Sequence, residues 1–397
     1  MAGLLSLAEA QARVLERARP LDIERVDVGR AAGRFLGEDT RASVDLPPFP
    51  SSAMDGYAVR AADTPGRLPV VAHIAAGVPA PRALAAGEAM AIATGGVVPD
   101  GADAVVPVEY VVDHGNAVEI PDPVVQTANV RPRGGDLRTG DIVVAAGTRL
   151  GAAHIGALAA AGIGRVVCGR RPRVAVLTTG TELRRPGERL DPGQVYEANG
   201  PMLAAALAAS GADVHELPSV PDDERGHRAA LERALREDVI VTSGGVSVGP
   251  HDLVRQVLRA LGAEEVFWGV AVKPGKPVSF AVRDGALVFG LPGNPVSSLV
   301  GCELFVRPAV HALQGAAQPG PRYETGRLAT PVARNGRRDE LVRAQRTPGT
   351  DCTLLAPIGG QESHMIARAA TADALVFVPR GEGELGADEP VRYLPLD

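Results

Sequence analysis

The sequence predicts an α/β and β multidomain protein: a central doubly wound α/β domain, a discontinuous N-terminal helical domain, a β insertion and a C-terminal β domain. Three observations lead there. From Pro172 onward, strand-like apolar runs alternate with amphipathic helical runs, the pattern of a mainly parallel sheet covered by helices on both faces. On either side of that region, short apolar clusters are separated by Gly, Pro and Asp turns, which reads as β structure. The 397 residues, 45% apolar and 22% charged, suffice for several cores, and aromatics at 3% leave those cores to Val, Leu, Ile and Ala.

The chain opens on a helix. Residues 1–20 carry Glu9, Arg13, Glu16 and Arg17, so they lack the apolar centre of a signal peptide. Ser6 with Glu9 forms a capping box, Leu7, Ala10, Val14 and Ala18 recur at helical spacing, and Pro20 stops the run. The β insertion, residues 51–129, contains LPVVAHIAAG, AMAIATGG, ADAVVPVEYVV and NAVEI. After it, IVVAAGTRL reads as a strand and residues 154–161 as an alanine-rich helix closed by Gly162. This segment is expected to pack with the N-terminal helix, so that residues 1–50 and 130–171 make one domain. The α/β domain spans 172–318 and includes the long helix PVSSLVGCELFVRPAVHAL. A Pro/Gly linker at 318–321 leads into the C-terminal β domain, 322–397, with one short helix after Ser363. The longest weakly polar stretch, 150–164, is shorter than the roughly 18 apolar residues of a membrane span, so no membrane association and a cytoplasmic location are expected.

Net charge −6 provides no basic face for a phosphate backbone, which argues against nucleic acid as a partner. Cys168, Cys302 and Cys352 are too widely spaced for a zinc site or a disulfide framework and read as small buried hydrophobes.

Three strands of the α/β domain end in small-residue turns: LTTGTEL at 177–183, VTSGGVSVG at 241–249 and GLPGNPVSS at 290–298. Open α/β sheets bind ligands beyond the carboxyl ends of their strands, where helix N-termini point free N–H groups outward. The first turn offers Thr179, Gly180 and Thr181. The second offers Ser243, Gly244, Gly245, Ser247 and Gly249. The third offers Pro292, Gly293, Asn294, Pro295 and Ser297, with Ser298 beside it. One such turn alone is as readily structural; three together, each with hydroxyls, point to an anion pocket.

Carboxylates gather in the same region: Glu182, Asp222, Asp223 and Asp252. Acids beside an anion site need a cation between them, and oxygen donors without a His/Cys cluster favour Mg²⁺, with Glu182, Asp222 and Asp252 as ligands. Asp223 reads better as a helix-start acid, and that role stays open for Asp252. Composition adds a sharper signal: of 41 basic residues only Lys273 and Lys276 are lysine, both in one KPGKP motif. Two ammoniums on a proline-stiffened loop suit a compact oxyanion. Elsewhere, Asp55 lies in PPFPSSAMDGYAVR, Thr94 in ATGGVVPDGADAVVP, and Asp136 with Asp141 in RPRGGDLRTGD; each alone reads as a turn.

SSAMDGYAV, TGGVVPDGADAVVP, GGDLRTGD, TTGTEL, SGGVSVGPHD, VKPGKPVSF and LPGNPVSS occur in this order, and with them the chain resembles the molybdopterin molybdenumtransferases of the bacterial MoeA type, relatives of the gephyrin E domain. The resemblance runs from the N-terminal helix to the C-terminal β region. It implies a central domain of the molybdopterin-binding type, a homodimer, and insertion of molybdate into adenylylated molybdopterin, giving molybdenum cofactor and AMP with help from Mg²⁺. It further implies a molybdopterin adenylyltransferase and molybdoenzymes as partners. Carried over by position, it assigns roles to Asp55, Asp136, Glu182, Asp222 or Asp223, and Asp252, together with Thr94, Lys273 and Lys276. Two departures stand out: PFPSSAMDG where PFDNSAMDG is common, and TGTEL where TGDEL is common. Two alternatives stay open: a molybdopterin adenylyltransferase, which lacks the flanking β regions, and a non-catalytic gephyrin-like scaffold, which would not need the acids and lysines.

Overall fold

The computed structural model describes residues 4–221, 223–245 and 253–396 of the chain. The N-terminal helix is Leu7–Arg17, and its capping box forms as the spacing predicts, with Glu9 N–H donating to Ser6 Oγ and Ser6 N–H donating to the Glu9 carboxylate. Its apolar stripe does not pack on the 130–171 segment as expected. Leu7, Ala10 and Val14 instead share a core with Val270, Val272 and Phe305 of the α/β domain. The long helix Pro295–Leu313 explains the choice of partner. Pro308 has no N–H to offer the Leu304 carbonyl, the helix widens into a π segment over Cys302–Val306, and Gln11 Nε2 donates to the Leu304 carbonyl at 3.1 Å. Arg17 adds a two-pronged pair to Glu264 at 2.9 and 3.1 Å. Burying a valine such as Val14 contributes about 1.5–3 kcal/mol, so Val14→Asp would release this helix.

The rest of the N-terminal region is stitched by short antiparallel pairs. Ile23–Asp27 pairs with Arg165–Gly169, Thr40–Arg41 with Ile142–Val144, and Ser51–Ser52 with Val130–Arg131, so the chain enters and leaves the β insertion side by side. The helix Ala152–Ala160 contributes Leu158 to a small core with Leu36, Leu150, Val166 and Cys168. In the insertion, Gly56–Val59 lies between Ala89–Ile92 and Ala104–Pro107. Gly56 is obligatory there, because a Cβ would fall 2.1 Å from the Val106 carbonyl oxygen.

The α/β sheet has the order Asp213–Glu216, Arg173–Thr178, Val239–Ser243, Ala286–Leu291, Ser279–Arg283, Glu264–Trp268. Alternate side chains go to opposite faces, the period of a strand. Val174, Val176, Val239 and Val241 pack against the helix Asn199–Ala209 and the long helix, whereas Ala175, Leu177 and Ile240 pack against Glu224–Ala234 and Leu253–Ala260. The first four strands pair in parallel, and Ser279–Arg283 pairs antiparallel with both Ala286–Leu291 and Glu264–Trp268, so it alone runs against the rest of this sheet. The reversal comes from Asp284-Gly285, both at positive φ (49° and 87°), a two-residue hairpin turn whose twist suits the strands it joins.

In the C-terminal region Asp339–Pro348, Thr353–Pro357, Glu324–Leu328, Pro390–Pro395 and Ala374–Val378 pair in that order, and the last pairs back onto the first, closing a barrel. Val272–Lys273 adds a parallel pairing at Asp339–Glu340, fastening the barrel to the α/β domain. The short helix is Ile366–Ala369. Among the described residues only Pro295–Leu313 is long and apolar enough to cross a membrane, and 83% of it is buried, so it is a core helix.

Candidate functional site

The strands Arg173–Thr178, Val239–Ser243 and Ala286–Leu291 are neighbours in the sheet, so the three predicted turns emerge at one end of it. The chain leaves the first of these strands toward Asp213–Glu216 and returns on its other side at Val239–Ser243. The turns at 179–182 and 243–245 therefore flank the point where the winding reverses, the place where such sheets open a crevice. Thr179 N–H donates to Ser243 O and Gly244 N–H to Leu291 O, each at 3.1 Å. Gly244 sits at φ 93°, and a Cβ there would lie 2.7 Å from Thr179 Oγ1, so both conformation and space require glycine.

Behind the turns runs a buried polar chain. Asn199 Nδ2 donates to Ser243 Oγ (2.8 Å) and to the Gly293 carbonyl (2.7 Å), Ser243 and Ser298 hydroxyls are 2.9 Å apart, and Ser298 Oγ donates to the Pro292 carbonyl. Linked bonds in a dry interior reinforce one another, which locks the second and third turns together. Asn199, 9% exposed, is absent from the sequence-derived set. Its only signal was a polar residue opening the otherwise apolar helix NGPMLAAALAA. Two buried atoms at the same place, Thr179 Oγ1 and Asn199 Oδ1, have no partner among the described residues. Unpaired buried polar atoms are costly, and a ligand with matching groups would satisfy them.

Glu182 is exposed, and a Cβ on Gly180 would lie 2.7 Å from either of its carboxylate oxygens. Neither its side chain nor that of Thr181 has a hydrogen bond or ion pair among the described residues. Asp223 is the N-cap of Glu224–Ala234, accepting from Gly226 N–H at 2.7 Å, which is the helix-start role that sequence favoured for it. Asp222, Ser247, Gly249 and Asp252 lie outside the described residues. Among those described, no three His, Cys, Asp or Glu side chains form a metal-ligand group.

Two more segments reach the crevice. The KPGKP loop lies against the start of the long helix, where a Cβ on Gly275 would be 3.7 Å from the Ser297 carbonyl oxygen. Its lysines differ: Lys273 pairs with Glu340 at 3.0 Å, while Lys276 is exposed and has no ion pair among the described residues. From the barrel, Ser363 accepts from Asn294 Nδ2 at 2.8 Å, and its carbonyl accepts from Val296 N–H at 3.1 Å. Arg343, 1% exposed, shapes this segment by donating to the carbonyls of Gly360, Glu362 and Met365. Sequence reasoning missed both residues; a buried arginine in a strand has no periodicity to betray it.

A second cluster forms in the N-terminal region. Asp55 accepts from Thr94 N–H (2.6 Å) and Thr94 Oγ1 (2.9 Å), and these bonds hold its carboxyl below the ordinary range. The 131–141 loop is anchored by a residue the motifs did not single out, Asp45. It accepts from Thr139 N–H, Thr139 Oγ1 and Arg133 Nε, which together bring its pKa down to about 2. Asp141 accepts from Arg138 N–H as a turn residue, whereas Asp136 is exposed. The loops are neighbours, since Ser52 N–H donates to Gly96 O and Gly134 N–H to Pro47 O, both at 2.9 Å. No hydrogen bond or ion pair among the described residues joins this cluster to the crevice within the chain.

Three family models match in succession: the MoeA N-terminal region (domain I and II) over residues 5–162, a probable molybdopterin binding domain over 175–312, and the MoeA C-terminal region (domain IV) over 325–396. The molybdopterin molybdenumtransferase of Staphylococcus epidermidis is 31% identical over 385 residues, covering 95% of this chain and 92% of the relative, and that of Staphylococcus aureus gives the same figures. A solved molybdopterin biosynthesis MoeA protein from Pyrococcus horikoshii superposes with TM-score 0.81 at 32% identity, covering 100% of both chains. A second from that organism gives TM-score 0.86 at 27% identity, covering 99% of this chain and 100% of the other. With all three regions matched in order and full-length relatives above 30% identity, the chain belongs to the MoeA family of molybdopterin molybdenumtransferases.

Proposed function

We propose that this chain is a transferase of molybdenum cofactor biosynthesis that inserts molybdate into adenylylated molybdopterin, giving molybdenum cofactor and AMP. The observation that carries this reading is the crevice at the winding reversal, lined by three hydroxyl-bearing turns and holding Thr179 Oγ1 and Asn199 Oδ1, which have no partner among the described residues. Backbone N–H groups of these turns, with Thr181, Gly245 and Ser297, would hold the phosphate groups of the pterin nucleotide, because exposed N–H groups at turns and helix starts attract anions. Lys276, with no ion pair of its own among the described residues, would place a compact charge on molybdate, and Lys273 would hold the loop to the barrel through Glu340.

The donor chemistry fits Mg²⁺, since Glu182 presents an exposed carboxylate without a protein partner among the described residues, and Mg²⁺ is commonly held by one or two carboxylates plus substrate phosphates. Glu182 would hold it with Asp222 and Asp252; when bound, the ion neutralises pyrophosphate charge. The separation of Asp55, Thr94 and Asp136 from the crevice supports a homodimer in which each crevice is completed by the acid loops of the other subunit. A cytoplasmic location, an adenylyltransferase that supplies the substrate and molybdoenzymes that receive the product belong to the same reading.

The test is to incubate the protein with adenylylated molybdopterin, molybdate and Mg²⁺ and to measure AMP. Molybdate-dependent AMP release is expected. No release from folded protein would favour the scaffold alternative, which Glu182, Asp136 and Lys276, exposed and without ion pairs among the described residues, argue against. Consumption of nucleotide triphosphate with molybdopterin would favour the adenylyltransferase alternative, which the matched N- and C-terminal regions argue against.

A further inference from the structure

A cavity of about 290 Å³ lies apart from the crevice, where the N-terminal region, the long helix and the barrel meet. Arg149, Arg307, Arg322 and Arg346 line it, opposed by the carboxylates of Glu303 and Glu324. With Asp373, which pairs with Arg346, three carboxylates stand against four guanidiniums and leave a formal charge of +1. The compensation is uneven. Arg307 pairs with Glu303 at 2.6 Å, and Arg346 pairs with Asp373 at 3.3 Å. Arg149 donates only to the backbone carbonyls of Gly33 and Ala209, and Arg322 has no hydrogen bond or ion pair among the described residues. His311 also lines the cavity, its ring 5.2 Å from that of Phe35, and its buried Nε2 has no partner among the described residues. Burial first, then the charges of Arg307, Arg149 and Arg322, push the His311 pKa down to about 4, so the His311 wall faces Arg149 and Arg322, neither of which has a carboxylate partner among the described residues.

We propose that this cavity is a binding site for a small phosphate monoester. Such a ligand is close to a dianion near neutral pH, and Arg149 and Arg322 are two guanidiniums with no carboxylate partner among the described residues to meet it. Planar guanidinium forks grip phosphate oxygens in pairs, and two of these forks have no carboxylate of their own. Phe35, Pro308 and Leu394 supply an apolar wall for the organic half, and the volume lies just under the roughly 300–1,000 Å³ typical of drug-sized ligand sites, which suits a ligand smaller than those. The site stands independently of the proposed transferase reaction.

The experiment uses the full chain with ¹³C-labelled histidine. It has eight histidines, and His311→Gln identifies the His311 signal. Glycerol phosphate is the probe, with glycerol and inorganic phosphate as controls. Glycerol phosphate at about 1 mM should move the His311 signal and raise its pKa, because an added anion favours imidazolium. Arg149→Ala combined with Arg322→Ala should weaken binding by about tenfold or more, while Lys276→Ala in the crevice should leave the response intact. Arg322→Gln alone, at an exposed linker position, serves if the double variant fails to fold. No His311 response, or a response that survives loss of the two arginines, would overturn the site. An equal response to glycerol or to inorganic phosphate would overturn its assignment to a phosphate monoester.

Discussion

The crevice and the Asp55 cluster hold their polar side chains in opposite ways. Ser243, Ser298 and Asn199 are buried and bonded mainly to one another and to carbonyls, so they set the shape of the turns while their own atoms stay out of solvent. Asp55, Thr94 and Asp136 are exposed, and where they are bonded it is through surface contacts between a carboxylate and a neighbouring threonine. On the proposed reading, the contrast separates two kinds of site residue: buried groups whose removal should cost folding, and exposed groups whose removal should cost only chemistry.

The largest stability effect should therefore fall in the crevice. Asn199→Ala strands the Gly293 carbonyl and breaks the hydroxyl chain, and each unsatisfied buried group costs about 1–3 kcal/mol, so a loss of about 2–4 kcal/mol is expected in denaturant unfolding. A change below about 0.5 kcal/mol, the range of ordinary surface substitutions, would remove the distinction. Asp55→Ala should behave in the opposite way, lowering AMP release by about a hundredfold while the melting temperature moves by no more than about 2 °C. A folded variant of normal activity would show that Asp55 is only a loop fastener for Thr94.

The lysines divide along the same line at smaller scale. Lys273→Arg can keep its pair with Glu340, whereas Lys276→Arg replaces an exposed compact charge by a larger planar one, so Lys276→Arg should lose about tenfold in cofactor formation at limiting molybdate and Lys273→Arg less. Equal activity in both would mean the loop acts through its backbone. The smallest effect is expected at Asp45. Its pKa falls from 3.8 to about 2 on folding, so the stabilisation is present above pH 3.8 and is lost as pH falls toward 2. Asp45→Asn should thus be less stable than the parent at neutral pH, with the gap closing through that acid window. A gap independent of pH would point to altered packing.

Much of this arrangement was legible in the sequence. The three turns could be read because glycine and hydroxyl residues end apolar strands, and only adjacent strand ends can use them together. The Ser6-Glu9 box and the short helix after Ser363 were readable from local spacing. What escaped depends on contacts between distant residues. Gln11 finds the Leu304 carbonyl 293 positions away because Pro308 leaves it available, and no helical pattern in either segment announces that meeting. Asn199, Arg343 and Asp45 escaped for the same reason, since each bonds to a loop distant from it in sequence. The Asp284-Gly285 hairpin was within reach, because an Asp-Gly pair between two apolar runs is a strong turn signal.

The central claim is that the crevice of one subunit works with the acid loops of its partner, and complementation tests it most directly. Chains carrying Asp55→Ala and chains carrying Glu182→Ala, each inactive alone, are co-expressed and assayed for molybdate-dependent AMP release. Random pairing makes about half the dimers mixed, each with one intact composite site, so about a quarter of parental activity should return. Mixed dimers that form yet stay inactive would contradict the claim and place both residues in the same subunit's site.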